Sequence, residues 1–224
     1  MANSSVFDTV SRLGVVPVIA IDSPDAAIPL ADALLEGGLP IVEITFRTAA
    51  AAEVIERLRQ ERPEILVGAG TVLTLRNLDT AKACGAKFCV APGTNPEIAA
   101  AASETGMPFV PGVATASDVE CALSLGCRVQ KFFPSEAMGG TAMIKALAGP
   151  FKHTGVRFVP TGGINAENLE SYLAVEAVAA VGGTWIAKKD DITQGNWSQI
   201  TDRCKAVAEL VARVRRMGPL ARPE

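Results

Sequence analysis

A lysine lies within an apolar segment of this sequence. Lys131 follows Val129 and precedes Phe132 and Phe133 in the stretch RVQKFFPSE. A lysine side chain is seldom buried unless its surroundings offset the loss of hydration. Burial in an apolar environment favours the neutral amine, which is a nucleophile toward ketones and aldehydes. The segment indicates either a Schiff-base lysine or a lysine that reaches solvent or pairs with a carboxylate.

A second segment contains three polar residues that are spaced two positions apart. Glu43, Thr45 and Arg47 alternate with apolar neighbours in VEITFRT, so on a strand all three project to one face. If Glu43 points to the interior of the fold, Arg47 points toward its open end. A Glu43–Arg47 salt bridge remains an alternative reading of the same spacing.

Two glycine pairs end apolar segments near the carboxyl end of the chain. The first is in PTGGI, residues 160–164, and the second is in AVGGTW, residues 180–185. Glycines at a strand end let backbone N–H groups approach an anion, which predicts a phosphate site. Tight turns without a ligand are the alternative explanation.

The elements that would position these groups follow a repeating pattern. Short apolar segments, most of them without polar alternation, occur at 15–20, 41–46, 65–70, 87–93, 108–112, 128–133, 157–163 and 177–183. Helix-like segments separate them. This pattern predicts a single (β/α)8 TIM barrel domain over residues 1–224, with a short extra N-terminal helix. A doubly wound open sheet is the alternative, but no GxGxxG follows the first segment.

Helix ends are predicted from capping residues. Asn95 with Pro96 predicts a helix start, and Ser117 with Glu120 predicts a capping box. Asn165 is expected to open the segment AENLESYLA. The last helix should bury one stripe, formed by Ile200, Cys204, Val207, Val211 and Val214.

In a barrel, the carboxyl ends of the strands build the active site. The residues at those ends share a polar character: one amine, one carboxylate, one guanidinium and several hydroxyls. Beyond the groups named above, these positions add Thr71, Pro92, Thr161 and Thr184.

Composition excludes several classes of protein. The 224 residues are 49% hydrophobic with a formal net charge of −3, and no basic or aromatic cluster suits nucleic acid. No apolar run approaches the length that a bilayer requires, and no leader pattern is present. Five cysteines without a CxxC pair and a single histidine, His153, argue against a disulfide framework or a metal site. We therefore expect a cytoplasmic protein that does not bind nucleic acid or a membrane.

The motifs together resemble one family. Seven segments are similar, in the same order, to motifs of the KDPG/KHG aldolases: VVPVI, VEITFRT, VGAGTV, KFFP, KALAGPF, RFVPTGGI and VGGTW. These class I aldolases act on 2-keto-3-deoxy-6-phosphogluconate (KDPG) and 4-hydroxy-2-oxoglutarate (KHG). The resemblance extends from about Val15 to the final helix.

The resemblance implies a homotrimeric barrel that cleaves a keto-acid phosphate without a metal or cofactor. Lys131 would form the Schiff base, and Glu43 would be the general acid/base. Arg47 and Thr71 would hold the pyruvate carboxylate, and Thr161 would face the reacting part of the substrate. Pro92 and Phe133 would form pocket wall, and the phosphate would bind at Gly162, Gly163, Gly183 and Thr184.

The sequence departs from the family pattern at a few positions. Ser135 replaces the alanine that usually follows KFFP, and Thr184 stands where serine is common. The threonine keeps the hydroxyl that the phosphate assignment requires. An aldolase for KHG or for the phosphogalactonate epimer remains an alternative, as does a barrel that binds phosphosugars without catalysis.

Overall fold

The computed structural model describes residues 2–216, and side chains are described from residue 6 onward. The strands are β1 Val15–Ile19, β2 Ile41–Thr45, β3 Leu66–Gly70, β4 Phe88–Val90, β5 Phe109–Val110, β6 Gly112–Val113, β7 Val129–Phe132, β8 Arg157–Phe158 and β9 Val181–Gly183. The α-helices are α1 Ala2–Leu13, α2 Ala27–Glu36, α3 Ala51–Glu61, α4 Leu75–Cys84, α5 Pro96–Glu104, α6 Ala116–Ser124, α7 Gly140–Phe151, α8 Leu169–Leu173, α9 Lys189–Gln194 and α10 Trp197–Arg216.

All strand pairs of the described chain are parallel. One curled sheet has the order β5-β4-β3-β2-β1-β9, and a three-stranded sheet has the order β6-β7-β8. A single residue, Pro111, separates β5 from β6 because proline cannot donate a ladder hydrogen bond. Two isolated bridges, Phe158 with Val178 and Thr161 with Gly182, connect the β8 region to the β9 region.

The strands are short and buried on both faces. Every residue of β1 and of β2 is buried, including the polar Glu43 and Thr45. Helices cover the outer face, as expected for parallel strands with helical crossovers. The helices form a continuous layer in which α10 packs beside α2, α2 beside α3, and α3 beside α4.

The apolar core has two parts. The larger cluster lies between strands and helices and includes Ile44, Leu58 and Phe132. The smaller cluster contains Val10, Val16, Ile41, Phe88, Val90, Val110 and Ala180. Because Val10 belongs to α1, this helix contributes to the core formed by alternate residues of the strands.

Of the three predicted helix starts, one is confirmed and two differ from the structure. Asn95 caps α5 as expected, since its side chain accepts a hydrogen bond from the N–H of Glu97. The capping box of α6 is formed by Thr115 and Asp118, so the prediction of Ser117 and Glu120 was wrong. The carboxylate of Asp118 also accepts from the N–H of Ala114, which favours the earlier start.

The segment after the first glycine pair also starts later than predicted. Asn165 accepts hydrogen bonds from the N–H groups of Glu167 and Asn168, forming a turn, and α8 begins at Leu169. The predicted stripe of the last helix is confirmed, because all five of its residues are buried in α10. Among the described residues, no helix is long and apolar enough to span a bilayer.

Candidate active site

Lys131 and Glu43 meet inside the curled sheet. Lys131 lies on β7 and Glu43 on β2, and their side chains are 8% and 5% exposed. The distance from Lys131 Nζ to Glu43 Oε1 is 3.5 Å, which defines an ion pair, yet Oε1 has no hydrogen-bond partner within the described chain. An amine and a carboxylate therefore face each other at a separation that leaves the carboxylate oxygen available to another group.

Glycine at position 70 makes room for the carboxylate. Gly70 ends β3, the neighbour of β2. A Cβ atom at this position would lie 2.2 Å from Glu43 Oε1 and 2.8 Å from Cδ and Cγ. The Glu43 side chain can adopt its position only because residue 70 has no side chain.

The surroundings of the lysine are mainly apolar. The ring of Phe133 has its centroid 5.4 Å from Lys131 Nζ, within the range of a cation–π contact. Gly112 is the register partner of Lys131, and a Cβ at Gly112 would lie 2.1 Å from the carbonyl carbon and oxygen of Pro92. Thus the loop containing Pro92 lies against β6, the strand that pairs with the lysine strand.

Thr45 fixes the side chain of Arg47. The Nε of Arg47 donates to Thr45 Oγ1 at 3.0 Å, and this hydroxyl donates to the carbonyl of Ile19 at 3.0 Å. Arg47 follows β2 in a turn and is exposed. Since Glu43 pairs with Lys131 instead, the Glu43–Arg47 bridge considered from the sequence is not formed among the described residues.

Thr71 has an unusual backbone. It follows Gly70 directly and has a φ of +57°, the one positive value at a non-glycine residue of the described chain. A β-branched residue in the left-handed region is strained, and such strain is concentrated at functional sites. The N–H of the next residue, Val72, donates to Val90 and holds the segment against β4.

Thr161 brings the two glycine loops together. Its backbone bridges to Gly182, and a Cβ at Gly182 would lie 2.2 Å from Thr161 Oγ1. Gly162 and Gly163 follow with φ values of +101° and +77°, which side chains other than glycine rarely adopt. The exposed Thr184 follows Gly183 at the end of β9.

A small interior cavity connects several of these groups. It measures about 20 Å³. Its lining consists of the polar side chains of Lys131, Glu43 and Thr161 and of apolar side chains of α1 and of the strands. The larger surface cavities contain neither Lys131 nor Glu43. Within the described chain, the candidate site is marked by the buried Lys131 amine and Glu43 carboxylate and not by cavity size.

Sequence reasoning missed one polar group beside this site. Ser135 donates to the hydroxyl of Tyr172 at 3.0 Å, and that hydroxyl donates to Glu136 Oε1. In the sequence, Ser135 is marked only as a departure from the family pattern. Tyr172, the one tyrosine of the sequence, lies on α8 and carried no spacing signal.

Comparison with known proteins places the chain in a family. The family described as KDPG and KHG aldolase matches residues 6–203. The chain belongs to this family. A family relative, the 2-dehydro-3-deoxy-phosphogluconate aldolase of Treponema pallidum, is 45% identical over 207 residues, which cover 92% of this chain and 98% of the relative. The same-named protein of Pseudomonas aeruginosa is 44% identical over 210 residues, covering 93% and 94%.

Solved KDPG aldolase structures have the same fold. The enzyme of Legionella pneumophila, with pyruvate captured at low pH as a covalent carbinolamine intermediate, has a TM-score of 0.86 and 42% identity over 92% of this chain and 97% of that chain. The Zymomonas mobilis KDPG aldolase with 3-phosphoglycerate has a TM-score of 0.83 and 39% identity, covering 91% and 95%. Within the described part of this chain, no group of three His, Cys, Asp or Glu residues could hold a metal ion.

Proposed function

We propose that this protein is a class I aldolase that cleaves KDPG to pyruvate and D-glyceraldehyde 3-phosphate. The observation that carries the proposal is the buried Lys131 amine at 3.5 Å from the buried Glu43 carboxylate. The names of its relatives, at 44–45% identity over more than nine-tenths of the chain, agree with this reaction.

The reaction begins at the C2 ketone of the substrate. In its neutral form, the amine of Lys131 attacks C2 and forms a carbinolamine, in which one C–N bond replaces the carbonyl π bond. Glu43 moves the protons that convert the carbinolamine hydroxyl into a departing water. The product is an iminium ion between Lys131 and C2.

The iminium makes the C3–C4 bond breakable. Glu43, directly or through a water, accepts the proton of the C4 hydroxyl, and the electron pair of the C3–C4 bond passes into an enamine. D-Glyceraldehyde 3-phosphate leaves with C4 as its aldehyde carbon. Protonation of C3 and hydrolysis of the iminium then release pyruvate and restore the amine.

The remaining residues bind the substrate. Arg47 and Thr71 hold the carboxylate, and the anchoring of Arg47 Nε on Thr45 supports this role, because the terminal nitrogens of the guanidinium remain available. Thr161 faces the reacting carbons, and Pro92 and Phe133 form the wall. The phosphate binds to the backbone of Gly162, Gly163 and Gly183 and to the Thr184 hydroxyl.

We also propose a single closed (β/α)8 barrel domain for residues 1–224, of which the structure describes residues 2–216, with α1 as its extra N-terminal helix. The bridges between the β8 and β9 regions and the one-residue gap between β5 and β6 support closure. We propose a homotrimer as well, and the exposed apolar side chains Leu73 (54%) and Leu75 (39%) are suited to a subunit contact. Five free cysteines suit the cytoplasm.

Relative rates on three substrates test the function. We expect kcat/KM for KDPG to exceed that for KHG and for the phosphogalactonate epimer. A preference for either of the others would support the corresponding alternative aldolase. Binding of the phosphosugar without release of pyruvate would support a non-catalytic barrel.

A further inference from the structure

The loop that we assign to the phosphate is joined to the lysine strand through its backbone. The N–H of Ser135 donates to the carbonyl of Thr161 at 2.8 Å, and the N–H of Glu136 donates to the carbonyl of Gly162 at 3.1 Å. These bonds extend the pairing of β7 with β8 beyond Lys131. The position of Gly162 is therefore tied to the strand that carries the nucleophile.

Three side chains reinforce this connection. The Ser135 hydroxyl donates to Tyr172, and Tyr172 donates to Glu136, so the hydroxyl of Tyr172 both accepts and donates. Ser135 and Tyr172 are buried, at 0% and 1% exposure. Burial, and then the neighbouring Glu136 carboxylate, raise the pKa of Tyr172 to about 12. The hydroxyl thus keeps its proton at neutral pH.

The glycine loop packs directly against Glu136. A Cβ at Gly163 would lie 2.6 Å from Glu136 Cβ and 2.7 Å from Cγ. On the other side, a Cβ at Gly140 would lie 3.0 Å from Glu136 Oε1 and 3.1 Å from the Tyr172 hydroxyl oxygen. Gly140 is the first residue of α7, so a helix start and a loop both pack against the same carboxylate side chain.

We infer that Ser135, Glu136 and Tyr172 are positioning residues that fix the Gly162–Gly163 loop relative to Lys131. This inference rests on the proposed function, because it requires the loop to bind the phosphate. No hydrogen bond or ion pair of the described chain joins any of the three to Lys131 or Glu43, so they act through the loop.

The connection has a consequence for substrate preference. A phosphate held by a rigid loop places C3 and C4 relative to the amine, so loop order lowers the barrier for phosphorylated substrates. Pyruvate lacks a phosphate and does not use the loop. Loosening the loop should therefore weaken the handling of KDPG and leave adduct formation with pyruvate unchanged.

Tyr172→Phe tests the inference, because it removes one hydroxyl and keeps the ring. We expect kcat/KM for KDPG to fall about tenfold, corresponding to the loss of one or two hydrogen bonds. Inhibition of KDPG cleavage by inorganic phosphate should weaken by a similar factor. The pyruvate concentration for half-maximal borohydride trapping should stay within about twofold.

Two further variants distinguish positioning from folding and from charge. Thr201→Val removes another buried hydroxyl, which donates to Ala33 between α10 and α2, and should leave all three measurements unchanged. Glu136→Gln keeps an oxygen that accepts from Tyr172 and should stay within about threefold of the wild type, whereas Glu136→Ala should match Tyr172→Phe.

Two results would overturn the inference. One is an equal loss in KDPG cleavage and in pyruvate trapping by Tyr172→Phe, which indicates damage to the whole site. The other is unchanged kcat/KM for KDPG together with unchanged phosphate inhibition. Failure of the proposed function would be seen separately, because wild-type protein would then neither cleave KDPG nor form the pyruvate adduct.

Discussion

Lys131 Nζ and Glu43 Oε1 lie 3.5 Å apart although their strands, β7 and β2, are not neighbours in either sheet. The contact crosses the interior that the curled strands enclose. Both side chains are almost fully buried, so solvent does not compete for the space between them. We therefore expect catalysis to be most sensitive to substitutions that displace the Glu43 carboxylate.

Gly70→Ala should disturb Glu43 without touching Lys131. The new methyl group would lie 2.2 Å from Glu43 Oε1, so the carboxylate must leave its present position. We expect kcat to fall roughly a hundredfold, since displacement of a general acid/base by about 1 Å has effects of that size. Steady-state kinetics of KDPG cleavage measure this fall in kcat.

Gly149→Ala is the matched control for that change. Gly149 lies in α7, and a Cβ there would meet no atom within 4 Å. Activity of this variant should equal that of the wild type. If Gly70→Ala also kept full activity, the position of Glu43 in the structure would be irrelevant to catalysis.

Arg47→Lys should raise KM for pyruvate in the condensation direction about tenfold, despite unchanged charge. Lysine has neither an Nε that can donate to Thr45 nor the planar pair of donors that matches a carboxylate. Arg128→Lys, at an exposed position just before β7, is the control with the same substitution. An unaltered KM in Arg47→Lys would remove the carboxylate role of this residue.

Thr184→Ala should reduce kcat/KM for KDPG by roughly ten- to a hundredfold, because it removes one hydroxyl donor to a charged phosphate. Cleavage of KHG, which has no phosphate, should barely change. Gly163→Ala is a less selective variant, since φ is +77° and the methyl would collide with Glu136. Equal losses on both substrates by Thr184→Ala would contradict the phosphate assignment.

Asp191 gives a prediction for acid stability. Its carboxylate accepts from Arg203 at 2.5 Å, and this bond lowers the pKa of Asp191 in the folded state. A lowered folded-state pKa stabilises the protein above the unfolded pKa of about 3.9, and this stabilisation is lost as pH falls through the folded value. Asp191→Asn should therefore reduce the free energy of unfolding by about 1–2 kcal/mol at pH 7.

Urea unfolding at several pH values measures that difference. The difference in unfolding free energy between wild type and Asp191→Asn should shrink as pH falls below about 4. Asp202→Asn, at an exposed position beside Arg203, is the control and should change the free energy of unfolding only slightly. A constant difference for Asp191→Asn would argue against a charge-dependent contribution.

The pattern along the chain predicted the positions of the strands and the polar residues at their ends. Continuous apolar segments required burial on both faces, and alternation placed Glu43 and Thr45 together. The comparison with relatives confirms the family that the motifs indicated. Strand ends could be found because apolar composition and side-chain alternation are local properties of the sequence.

Other features depend on contacts between distant parts of the chain. Thr115 with Asp118 and Ser117 with Glu120 satisfy the same capping pattern, and the local pattern could not choose between them. Likewise, the need for glycine at position 70 arises from Glu43 on a neighbouring strand. The Ser135–Tyr172 hydrogen bond joins residues 37 positions apart, so no spacing rule could predict it.

Mass spectrometry after treatment with pyruvate and borohydride tests the central claim most directly. The Schiff base between Lys131 and pyruvate should be reduced to a stable amine, and the peptide that contains Lys131 should gain the mass of pyruvate minus water plus two hydrogens. Labelling should require both reagents, persist in EDTA and disappear in Lys131→Arg. An adduct on Lys145, or on no lysine, would contradict the assignment of Lys131 as the nucleophile.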